Sequence, residues 1–105
     1  GTDGGCWRDG LDVHIRKAVT MRHAILGGPI CVEGPDGRMS EVDVPAGTQP
    51  GDLVKVRAMG ARGPLGGSAG DLVVHVDVSL PRSLSPRGRK LLEELSEEMT
   101  RGPQG

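Results

Sequence analysis

The groups in this chain that could do chemistry are few: two cysteines, three histidines, and acids and bases in near balance. Cys6 and Cys31 stand far apart with no CxxC spacing. They read as two free thiols of a reducing compartment, with a disulfide as the alternative. A zinc site needs more ligands than these, and His14, His23 and His75 have no metal-like spacing. His75 and Asp77 lie two apart on one face of an alternating stretch, where an acid–base pair would sit, but no nucleophile or third group accompanies them. The glycine-rich run from Ala58 to Ala69 lacks both the Walker spacing and a GxGxxG followed by a helix, so it reads as a flexible loop. No constellation supports an enzyme, a metal centre or a bound cofactor.

The elements that must carry these groups are built from a restricted alphabet. With 18 glycines, 8 prolines, one Trp and neither Phe nor Tyr, any core has to be made of Val, Leu, Ile and Met. Such a core is thin for 105 residues, so stability is expected to draw on a partner surface or a second copy of the chain. A net charge of −1 predicts no strong field for nucleic acid or for a membrane surface. No apolar run approaches the length of a membrane span, and nothing resembles a signal peptide. The chain opens on Gly1, and residues 1–7 read as a linker or cloning remnant, so an excised single domain is expected.

In chain order, a turn at Asp9-Gly10 leads into a strand from Val13, with Val13, Ile15 and Lys17 on one face and His14 and Arg16 on the other. His14 is expected to face solvent. Thr20 is a good N-cap and Gly27 a natural stop for a helix of about two turns between them, with His23 as a polar surface residue. Ile30–Glu33 and Arg38–Val44 read as two strands joined through Asp36-Gly37, a hairpin signal. Leu53–Arg57 alternates again. Leu72, Val74, Val76 and Val78 share one face of the clearest strand, opposite Val73, His75, Asp77 and Ser79. Ser85-Pro86 then opens an amphipathic helix to about Thr100, striped by Leu91, Leu92, Leu95 and Met99. Its bases precede its acids, against the dipole, so it is expected to need docking.

The stretch around which all this is arranged runs from Val42 to Leu53: an alternating strand, Val44-Pro45, then Ala46-Gly47-Thr48-Gln49-Pro50-Gly51 and a second strand. That wording resembles the second C-terminal β-domain of DnaJ-type co-chaperones, the heat-shock-protein-forty family. Further matches are Arg8-x-Gly10-x-Asp12-Val13, Ala24-Ile25-Leu26-Gly27-Gly28 and Gly70-Asp71-Leu72, in order from Arg8 to about Leu95. Cys6 stands where the family usually has Phe, Pro35 replaces an apolar residue before Asp36-Gly37, and Ala58, Met59 and Arg62 depart from the family's loop.

The resemblance implies a mainly β fold: a small two-layer β-sandwich with one short helix and a C-terminal amphipathic helix. It divides the chain into a β-domain over 8–82, a dimerisation or docking helix over 83–100 and a disordered tail over 101–105. It implies a client-binding and dimerisation domain that holds unfolded polypeptides for a DnaK-type chaperone ATPase. There is no His-Pro-Asp tripeptide and no repeated CxxCxGxG in this chain, so the J-domain and zinc module of the family are expected elsewhere. Ile30, Val32, Val54 and Val56 are the expected client-holding side chains, with ordinary core as the competing reading. Leu91, Leu92, Leu95 and Met99 are expected at a homodimer contact or docked on the chain's own sandwich. The alternative role is a structural adaptor in a larger assembly without a client cycle. A cytoplasmic or an organellar setting, mitochondrion or plastid, would suit either.

Overall fold

The computed structural model describes residues 6–102 apart from 36, 58, 62, 64, 65 and 68. The expectations for a leading linker and a disordered tail fall largely outside these residues, as does much of the 58–69 loop. The order is β1 (Cys6–Asp9), β2 (Asp12–Thr20), α1 (Met21–Leu26), β3 (Gly28–Glu33), β4 (Met39–Val44), β5 (Leu53–Val56), β6 (Leu72–Ser79) and α2 (Pro86–Arg101). β1 takes in Cys6 and Trp7, which the sequence alone left in the leading segment.

Two sheets form the sandwich. The larger runs β1-β2-β6-β5, with β2 and β6 parallel at its centre and antiparallel edge strands on both sides. A parallel pair needs a long crossover, and α1, the hairpin and β5 supply it. The second sheet is the β3–β4 hairpin, closed by Gly34 N–H to Arg38 O and Gly37 N–H to Gly34 O. Alternation decides the faces. Val13, Val19, Leu72, Val74 and Val76 meet Val32, Val42 and Val44 of the hairpin in one buried aliphatic cluster, with Ala24 of α1 closing it. Ile15, Ile30, Val54, Val56 and Val78 pack around it half-buried.

The central loop is the C-terminal cap of α1. Thr20 Oγ1 accepts from His23 N–H at the start of this helix. At its end, where the last carbonyls of a helix lack partners, Gly47 N–H donates to both Ala24 O and Ile25 O, and Thr48 N–H to Ala24 O. Gly27, at φ +79°, passes so close to the loop that a Cβ there would lie 2.8 Å from Ala46 N and Val44 O. Thr48 is itself buried, and its hydroxyl donates to Pro45 O at 2.6 Å. The sequence signature is thus a device that ties helix to hairpin.

α2 is capped as its sequence requires: Ser85 Oγ accepts from Gly88 N–H, and Pro86 occupies the first turn. None of its residues is buried. Leu91, Leu92, Leu95 and Met99 are 50%, 38%, 42% and 44% exposed. No helix among the described residues is long and apolar enough to cross a membrane.

Candidate functional site

Three backbone segments, two of them within the family wording, meet at one end of the larger sheet. Asp71 N–H donates to Asp12 Oδ1 at 2.8 Å, and Val13 N–H to Asp71 O. Leu11 O accepts from Ala61 N–H, while Gly60 and Ala61 exchange bonds with Gly70. Gly60 and Gly70 are glycines because a Cβ on either would collide with Leu11 O. This clasp joins the start of β2 to the residues that lead into β6.

The sheet's outer face, away from the hairpin, carries a different cluster. Trp7 on β1 lies directly opposite His14 on β2, stacked at 5.3 Å between ring centroids and 14° between planes. His75 on β6 sits 4.8 Å from Trp7, and its Nε2 is 2.8 Å from His14 Nδ1. That is hydrogen-bond distance, with one nitrogen donating and the other accepting. The Arg16 guanidinium stands 5.5 Å from the Trp7 ring centre. Val73, on the same face, is buried outside the main cluster. Burial, then the neighbouring His14 and Arg16, hold His75 below its ordinary pKa, against the pull of Asp77. His14 is therefore not a lone solvent-facing residue. The pairing was hidden because alternation gives the face of each residue, not which strands are neighbours.

Cys6 and Cys31 are both free and exposed. They line one groove of about 420 Å³ between the β1–β2 edge and the hairpin, together with Ile15, Val32 and Met39. Among the described residues, no three of His, Cys, Asp and Glu are placed to hold a metal ion. His23 Nε2 lies 3.0 Å from Pro29 O, a local tie between α1 and β3.

The four side chains expected to hold clients do not form one accessible patch. Val32 is only 2% exposed and belongs to the core, because β3 turns it toward the larger sheet. Ile30, Val54 and Val56 are half-buried against the same cluster. The α2 stripe, by contrast, is open. Leu91, Leu92 and Leu95 face Leu80, Leu84 and Met21 across an apolar groove of about 530 Å³.

Comparison with known proteins places this arrangement. A family model described as the DnaJ C terminal domain matches residues 3–81. Chaperone protein DnaJ of Acidiphilium cryptum is 41% identical over 91 residues, which cover 87% of this chain and 24% of that protein. Those of Rickettsia typhi and Treponema denticola are each 38% identical over 90 residues, covering 86% and 85% of this chain. The chain spans about a quarter of the length of these relatives. With the sandwich and its signature loop, the match shows that this chain belongs to the DnaJ C-terminal domain family.

Proposed function

We propose that this domain holds unfolded client polypeptides and pairs with a second copy of itself, within a DnaJ-type co-chaperone that delivers those clients to a DnaK-type ATPase through a J-domain outside this segment. The observation that carries the reading is the half-exposed stripe of Leu91, Leu92, Leu95 and Met99, which a capped helix of 16 residues leaves open above Met21, Leu80 and Leu84. A short isolated helix is marginal in water, so a partner surface for this one is expected. Each of these side chains is already about half covered, so docking gains roughly 1 kcal/mol apiece, about half of a full burial. Eight such side chains in a symmetric pair yield a sum comparable with the cost of association, which predicts a weak dimer.

Clients are held at half-buried apolar positions of the sandwich, Ile30, Val54 and Val56 among them. No catalytic role is proposed. Two measurements test the reading. Sedimentation equilibrium at micromolar concentration should show a monomer–dimer equilibrium that Leu95→Asp abolishes. Suppression of aggregation of a denatured test protein should be present in the wild type and weakened by Val56→Asp, with circular dichroism verifying the fold. A wild-type protein that is strictly monomeric and inert toward denatured protein would refute the proposal.

A further inference from the structure

We propose that Trp7, His14 and His75 form a proton-operated latch that holds edge strand β1 on the larger sheet and lets it go when both imidazoles are charged. β1 has four residues, all exposed, and among the described residues it pairs with β2 alone. Its one bulky apolar side chain is Trp7, and Trp7 lies across the rings of His14 and His75. The ring contacts that hold Trp7, and with it much of the side-chain attachment of β1, are therefore those with the two imidazoles, beside the Arg16 guanidinium.

Their contact depends on protonation. With both rings neutral, one nitrogen donates to the other across 2.8 Å. With one extra proton, an imidazolium donates to a neutral imidazole and the contact survives. With two, an N–H faces an N–H and two positive charges meet at that distance, which no tautomer relieves. Arg16 adds a third positive charge beside Trp7.

The other charged groups that the registers place on this face are Asp9 on β1, Asp12 on β2, Asp77 on β6 and Lys55 on β5. Of these Asp77 favours the charged His75, while burial, His14 and Arg16 oppose it. Uncharged His75 is thus favoured near neutrality. Release would leave β2, nine residues long, as a new sheet edge with unpaired backbone groups.

The test is amide hydrogen exchange read by NMR at about pH 7.5 and about pH 5, the interval over which histidine changes charge, corrected for intrinsic exchange rates. Protection of the Trp7–Asp9 amides should fall with pH in the wild type, while β5 and β6 amides keep theirs. His14→Gln and His75→Gln, each folded at neutral pH by circular dichroism, should lose that selective fall. Asp77→Asn, at an exposed position, should move its midpoint to lower pH. Constant β1 protection in the wild type, an equal fall in the Gln variants, or an unmoved midpoint in Asp77→Asn would each overturn the latch.

Discussion

Asp12, the first residue of β2, and Asp71, the residue before β6, are joined by a hydrogen bond from the Asp71 amide to Asp12 Oδ1 at 2.8 Å. The bond pins the first rung of β2 against β6 and so fixes which residues face the hairpin. One slip of register would turn Val13 and Leu72 out of the core. Asp12→Ala should therefore destabilise the domain by about 1.5 kcal/mol, the usual worth of a bond to a charged acceptor, measured by urea unfolding.

A glycine of the same clasp and one outside it give a sharper contrast. A Cβ at Gly70 would lie closer to Leu11 O than real Cβ atoms come, whereas one at Gly63 would make ordinary contact at 3.7 Å from Gly66 O. Gly70→Ala should cost about 3 kcal/mol or more, as overpacking against backbone does. Gly63→Ala should be nearly neutral. Equal effects in thermal unfolding would mean that the clasp yields.

Much of this was legible in the sequence. Alternation located the faces of β2, β4 and β6, capping residues located both helices, and the order of signatures gave the fold. The use of the signatures was less legible, because hydrogen bonds such as Thr48 N–H to Ala24 O join segments that only the folded chain brings together. The histidine cluster was not legible. His14 and His75 are 61 residues apart, and nothing local says that their strands are neighbours. Trp7 was missed for a related reason: a strand of four exposed residues after a glycine-rich start carries no periodic signal. For Val32, Val54 and Val56, alternation marked an apolar face without saying how deeply the second layer covers each one.

Thr48 is the only buried polar residue among the described residues. Thr48→Val keeps its shape and the backbone bonds to α1 but removes the donor to Pro45 O. The loss should be about 1 kcal/mol, read as a drop of roughly 4–8 °C in Tm for a domain of this size.

His75 makes stability depend on pH with a defined sign. Its folded pKa lies below the ordinary 6.5, so between those two values the unfolded chain binds more protons than the folded one. The contribution of His75 to stability should be constant above pH 6.5 and fall as the pH drops from there toward the folded pKa, then level off. In His75→Gln the fall should be smaller than in the wild type. Urea midpoints across a pH series measure both slopes, and parallel curves would show that His75 does not couple to folding.

The last contrast separates the core from the helix. Val74 is fully buried between sheet and hairpin, so Val74→Ala removes two buried methyls and should cost about 2 kcal/mol, counting the cavity left behind. Leu95 is 42% exposed on a helix with no buried residue. Leu95→Asp should leave the unfolding of the isolated sandwich unchanged while removing association. Dilution distinguishes the two effects, since a dimer's unfolding midpoint rises with protein concentration and a monomer's does not. The wild type should show that rise, Val74→Ala should keep it at a lower midpoint, and Leu95→Asp should show none. A Leu95→Asp midpoint that falls by as much as that of Val74→Ala would instead place the stripe against the chain's own sandwich.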